Sequence, residues 1–350
     1  MALVGKVQTV LGARLPEQLG ITLPHEHLLL DFTKAMRKPE YNPCCMENLQ
    51  FTMHNLGKIR QFPYSVKDNL VIDSVEEVVE ELKLFKASGG GTVVDLTPIG
   101  IRTTPELLPR VSSDSGVTIV LGTGYYVEAF QSDEVKAMSV EAMAKVMIRE
   151  IECGIGESKV KCGVIGEIGC SWPLAECEKK ALRAAAMAQH NTGAPINVHL
   201  GRDQQSAFEV LDILEAEGVA DLSHTVLSHV DRTIFDDDKL LQLARRGCYL
   251  EFDLFGIECS HYQFNSAVDM PSDAQRIQKV KLLVDNGFSG QVLLSHDLHT
   301  KHRLVQYGGH GYRHLLDHIA PKMVDRGISR DIVARMMTEN PQKCLTFRKI

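Results

Sequence analysis

The sequence has no Cys-x-x-Cys pair, one tryptophan in 350 residues and no block of lysine or arginine. Each shortage excludes something. Nine cysteines, odd in number and scattered, give no disulfide frame and no structural-zinc signature; they read as reduced thiols of a cytosolic protein, with Cys44 and Cys45 two thiols in a loop. The 38 basic residues are outnumbered by 45 acidic ones, net −7, so nucleic acid finds no cluster of cations to bind. No stretch approaches about 18 uninterrupted apolar residues, and none is expected to cross a membrane. The first twenty residues lack the charged and apolar regions of a signal peptide. No Gly-x-Gly-x-x-Gly follows the first expected strand, which argues against a dinucleotide cofactor.

What is present alternates. With 44% hydrophobic and 24% charged residues the chain can bury a sizeable core. Eight short runs read as strands buried on both faces: "GITLPHEH", "TVVDL", "VTIVLGT", "GVIGEI", "PINVHL", "TVLSHV", "YLEFDL" and "VLLSHD". Between them lie amphipathic stretches that stop at glycine, such as "SAFEVLDILEAEG", "DDDKLLQLARRG" and "SDAQRIQKVKLLVDNG". Another, "DSVEEVVEELKLFKASGGG", opens with Ser74 and Glu77 at capping-box spacing. Eight βα units over some 330 residues predict an α/β fold, a (β/α)₈ TIM barrel over about 20–347, within a single domain of 1–350. A short β extension is expected at the N-terminus. The long interruption at 33–72, with Pro39, Pro43 and Pro63, is expected to form a lid or substrate wall.

In such a barrel chemistry collects at the C-terminal ends of the strands. There the sequence places His25 and His27, Glu167, His199, His229 and Asp297. Eight strands closing in a ring would aim all six into one cup, and six metal-capable groups need cations to organise them. Imidazole and carboxylate without thiolate suit zinc first, with manganese, cobalt or iron open. His25, His27 and Asp297 would grip one ion, His199 and His229 a second, and Glu167 would bridge them around a shared hydroxide. Glu26 is expected to support these ligands or face outward, and His296 to pack away from Asp297. His299, His302, His310 and His314 read mostly as structural, while His190 and His224 sit at the wrong end of the barrel.

The motifs "GITLPHEHL", "GEIG", "NVHL", "LSHVDR" and "SHDLHTKHRLVQYGGHGY" resemble, in order and over nearly the whole chain, the phosphotriesterase family of the amidohydrolase superfamily. The resemblance implies a barrel with two divalent metal ions, the more buried on His25, His27 and Asp297 and the more exposed on His199 and His229. Family members with a carbamylated lysine on strand four differ from this chain, which carries Glu167 there; Lys159 and Lys161 lie at the far end of that strand. Where phosphotriesterases proper have a histidine after the strand-seven aspartate, Asp253 is followed here by Leu254.

Both departures point away from phosphotriesters. The animal branch of the family is associated with cleaving N-acetyltaurine to acetate and taurine, so a small anionic N-acyl substrate is implied. Asp297 is then expected to pass the proton to the departing amine. Arg202 is expected to hold the anionic group, with Arg60 and Lys301 as further options and Tyr126 near the reacting oxygen. A homodimer is left open; no nucleic acid or membrane partner is expected. The rivals are a lactonase or phosphoester hydrolase on the same centre and, further off, a non-catalytic binding barrel.

Overall fold

Each β-branched run pairs with the run that follows it. β1 (Ile21–Glu26), β2 (Gly90–Asp95), β3 (Thr118–Thr123), β4 (Val164–Gly169), β5 (Ile196–His199), β6 (Thr225–Ser228), β7 (Tyr249–Phe252) and β8 (Val292–Leu294) form one parallel sheet in chain order. The structure, a computed structural model, describes residues 3–39, 41, 46–259 and 261–349; Pro43, Cys44 and Cys45 lie outside these. Every residue of β3 and β4 is buried, as strands covered on both faces must be. β6, β7 and β8 end two or three residues before the apolar runs do, because the chain there turns into the loops that carry the site.

The helices follow their signals. Val75–Ala87, Gln204–Ala216, Asp237–Arg245 and Asp273–Asp285 are capped by Ser74, Asp203, Asp236 and Ser272, whose side chains accept backbone N–H groups of the first turn. The box expected at Ser74 is half made: Ser74 accepts from Glu77 N, but the Glu77 carboxylate accepts from Tyr307 Oη at 3.0 Å instead. Glycine is required for close approach at Gly122 on β3, where a Cβ would collide with the Gly166 carbonyl of β4, immediately before Glu167.

An antiparallel hairpin of Val7–Thr9 and Gly12–Arg14 supplies the expected extension. Val7 packs with Leu19, Val94, Leu96, Val120, Val164 and Leu345. The 33–72 excursion is no open loop: Leu30–Asp31 pairs with Val71–Ile72 at its base, and it holds a helix, Leu56–Gln61.

Among the described residues no backbone ladder joins β8 to β1. Glu26, fully buried, clasps that seam instead. Its carboxylate accepts from His296 N (2.9 Å), Leu298 N (2.9 Å) and His296 Nδ1 (2.7 Å), with Ser295 Oγ at 2.8 Å. Glu26 thus neither faces outward nor bonds one of the six site groups, the two roles expected of it; its partners are His296, Leu298 and Ser295 of the seam. Glu26→Ala would strand these buried donors and is expected to cost about 3–5 kcal/mol in urea unfolding; a loss under about 1 kcal/mol would contradict the clasp.

Candidate metal centre

Five strands deliver six groups to one cup. His25 lies within β1 and His27 just beyond it, Glu167 within β4 and His199 at the end of β5; His229 follows β6 and Asp297 follows β8. None is more than 7% exposed. His25, His27 and Glu167 offer ligand atoms within 4.8 Å of one another, and so do Glu167, His199 and His229. The Glu167 carboxylate stands between the two triads, its Oε2 3.5 Å from His25 Nε2, 2.8 Å from His199 Nδ1 and 3.4 Å from His229 Nε2. Asp297 Oδ1 is 3.0 Å from His27 Nε2 and 3.8 Å from His25 Nε2, on the first triad's side.

Outer partners orient the rings. His25 Nδ1 lies 3.1 Å from both Glu251 Oε2 and Asp253 Oδ2, His229 Nδ1 2.9 Å from Asp253 Oδ1, and His27 Nδ1 3.0 Å from Thr97 Oγ1. A proton held on each outer nitrogen leaves Nε2 as a lone pair facing inward, the arrangement metal-ligating histidines use. His199 is reversed and turns Nδ1 inward. One atom tests whether these groups fit a cation. His25 Nε2 is fully buried and has no hydrogen-bond partner, although it faces two carboxylates. A divalent ion would satisfy it, and the nitrogen and oxygen donor set suits such an ion.

Electrostatics and backbone tell the same story. Burial raises the Glu167 carboxyl, but His199, His229 and His25 together hold it well below the usual carboxylate range. Asp297 is likewise raised by burial yet held low, chiefly by His299 and His27. His229 (φ 59°) and Asp297 (φ 49°) occupy the left-handed region, a conformation of the kind concentrated at functional sites. The Asp253 carboxylate holds the first by accepting His229 N (3.0 and 3.1 Å), and Asp297 N donates to the His25 carbonyl (3.2 Å).

Above the cup is a recess of about 30 Å³, walled by Phe32, Ile101, Tyr126 and Leu254 and reached by Arg202, Arg232 and His299. Arg202 donates through Nε to Tyr262 Oη (2.7 Å) and lies over the Phe264 ring at 4.7 Å. Tyr126 stands edge-on to His199, 5.1 Å between centroids. Arg60 and Lys301 do not line this recess: Arg60 donates to the Gly308 carbonyl and Lys301 to Asp68 Oδ1 at 2.7 Å. A larger cavity of about 450 Å³ adjoins it beside the loops after β7 and β8, where Arg60, His302, His310 and His314 lie. None of the six groups lines it, so size alone does not locate the chemistry. His299, read as structural, reaches the recess, its Nδ1 3.2 Å from Asp297 Oδ1. Sequence reading also missed Glu251 and Arg232. Two acids at i and i+2 in the apolar run "YLEFDL" were a signal for Glu251 with Asp253; nothing marked the direction of Arg232.

A family model described as the phosphotriesterase family matches residues 5–345. The N-acetyltaurine hydrolase of Xenopus tropicalis is 48% identical over 348 residues, 99% of each chain. That of Homo sapiens is 47% identical over 351 residues, again 99% of each. Among solved structures, a resiniferatoxin-binding protein from Rhodobacter sphaeroides superposes with a TM-score of 0.93 at 35% identity, over 97% of this chain and 95% of the other.

Glu251 accepts from Ser228 Oγ (2.6 Å) and Asn197 Nδ2 (3.0 Å) besides facing His25. Glu251→Ala removes one anchor of the His25 ring. It is expected to weaken zinc binding roughly tenfold to hundredfold in competition with a chelator; unchanged affinity would remove Glu251 from the support of the centre.

Proposed function

The chain belongs to the phosphotriesterase family, and from that premise we propose that it is a metal-dependent amide hydrolase cleaving N-acetyltaurine to acetate and taurine. The family is one of metal-dependent hydrolases and the relatives named above carry that activity in their names. The observation that carries the substrate reading is Arg202: a guanidinium at the rim of the recess, bonded to a tyrosine hydroxyl and stacked on aromatic rings, with no carboxylate in ion-pair contact among the described residues. Arg202 is half-buried, and a partly desolvated cation with no counter-charge is unfavourable; an anionic substrate group is the counter-charge it lacks.

Zinc ions would be held in two positions, one by His25, His27 and Asp297, the other by His199 and His229, with Glu167 between them. Bound there, the pair supplies Lewis acidity, which lowers the pKa of water and polarises a carbonyl. The chain's own groups do the rest. Phe32, Ile101 and Leu254 shape a small apolar recess that suits an acetyl methyl. Burial, with Glu167 and Asp297 nearby, pushes the Tyr126 hydroxyl well above the usual phenol range, so it stays protonated as a donor for the developing oxyanion. Asp297 accepts a proton from the attacking water and returns it to the departing amine. Arg202 holds the sulfonate, and aromatic faces keep its fork rigid. Asp253 is occupied with His229 and His25, and Leu254 stands where phosphotriesterases proper carry the relay histidine, so position 254 supplies no imidazole.

Purified zinc-loaded protein assayed side by side on N-acetyltaurine, N-acetylglycine, a lactone and a phosphotriester is expected to show the highest kcat/KM on N-acetyltaurine; a higher value for the lactone or phosphotriester would overturn the substrate. Asp297→Asn is expected to lower kcat by about 10²–10⁴-fold while the fold persists by circular dichroism. Undiminished turnover in that variant would remove Asp297 from the proton transfer.

A further inference from the structure

Arg232 is the second cation at the recess. It is 4% exposed. Its Nη1 donates to Thr233 Oγ1 (3.2 Å), and its Nη2 donates to the Leu200 carbonyl (3.1 Å) and lies 3.2 Å from His199 Nε2. Among the described residues no carboxylate pairs with it.

The contact with His199 is conditional. A neutral imidazole carries one proton. With that proton on Nδ1, His199 donates to Glu167 Oε2 at 2.8 Å and Nε2 is left as an acceptor for Arg232. Yet Nδ1 is also the atom that faces Glu167 and His229, and it is the one that would ligate a metal ion. A ligating Nδ1 must give up its proton, and the neutral ring then carries it on Nε2. Nε2–H would face Nη2–H, and that Arg232 proton would lose its acceptor while the Leu200 carbonyl keeps the other. Among the described residues Arg202 has no comparable hydrogen bond to a histidine ring.

We propose that loading the His199 position with metal releases Arg232 from His199 and makes it the second arm, with Arg202, of a clamp for an anionic oxygen group such as a sulfonate. The proposal rests on the metal-centre reading above. It also explains why two guanidiniums line one small recess: a sulfonate offers three acceptor oxygens, enough for two forks. The clamp is complete only in protein that is already competent to react, so substrate is held weakly where it could not be cleaved.

The test is calorimetric binding of methanesulfonate, a poor metal ligand, to metal-free and zinc-loaded forms of the wild type, Arg232→Met and Arg202→Met. Zinc loading is expected to tighten binding to the wild type roughly tenfold. In Arg232→Met that gain disappears, while the metal-free protein changes less than about twofold. Arg202→Met, by contrast, weakens both forms. Zinc affinity measured against a chelator should rise more in Arg232→Met than in Arg202→Met, since only the first removes a competitor for the His199 ring. Arg232→Lys, which keeps the charge and the stem, serves if the methionine variant folds poorly, and should lose most of the gain. Equal weakening of both forms by Arg232→Met, or none, would overturn the proposal, as would a wild type that never binds the anion. Failure to bind zinc would overturn it together with the metal-centre reading. The expected pattern in a wild type that leaves N-acetyltaurine uncleaved would support the clamp and dispose of the substrate alone.

Discussion

Four carboxylates buried in the mouth of the barrel are the constraint on which the rest of this structure depends. Glu167, Glu251, Asp253 and Asp297 are each at most 7% exposed and crowd four imidazoles. Charge taken out of water must be paired and hydrogen-bonded or the fold loses several kcal/mol per ion. The outer pair, Glu251 and Asp253, meets most of this by facing ring nitrogens, a serine hydroxyl, the Asn197 amide and the His229 backbone N–H. The inner pair, Glu167 and Asp297, faces Nε2 atoms of His25, His27 and His229, which are themselves acceptors when the outer nitrogens hold the protons. His25 Nε2 and, behind it, Glu251 Oε1 are buried without a hydrogen-bond partner, so the side chains alone do not close the network. Divalent cations would close it at His25 Nε2.

The barrel is what lets one chain meet that constraint. Parallel strands bring the ends of β1, β4, β5, β6 and β8 to one rim, and glycines at Gly122 and Gly166 let β3, β4 and β5 pass close enough for Glu167 to reach across. The Glu26 clasp holds the end of β8 against β1, so Asp297 stands beside His25 and His27. Loops then differentiate the chemistry. The excursion after β1 contributes Phe32 and Tyr64, the loop after β5 contributes Arg202, and the turn after β6 contributes Arg232.

The strands and the six inward groups were legible because polar residues at the ends of apolar runs violate the pattern around them, and because the barrel maps strand ends to one place. Residues on loops were not. Arg60 and Arg202 look alike in the sequence, each a single arginine near an expected active face. Only the folded chain separates them, one tied to the Gly308 carbonyl beside a neighbouring cavity and the other beside the cup. Arg232 stood within a quoted motif, yet its role depends on which nitrogen of His199 it meets, a three-dimensional fact. His299 followed the same logic: four histidines on one loop look equivalent until one of them reaches Asp297.

The most direct measurement of the central claim is a zinc titration of metal-free protein, read by metal analysis after gel filtration and by thermal unfolding. Cations that complete a buried network bind the folded chain and not the unfolded one, so they stabilise it by linkage. The account predicts retention of about two ions per chain and a Tm higher by several degrees. A chain that retains no zinc and unfolds at the same temperature with and without it would contradict the account.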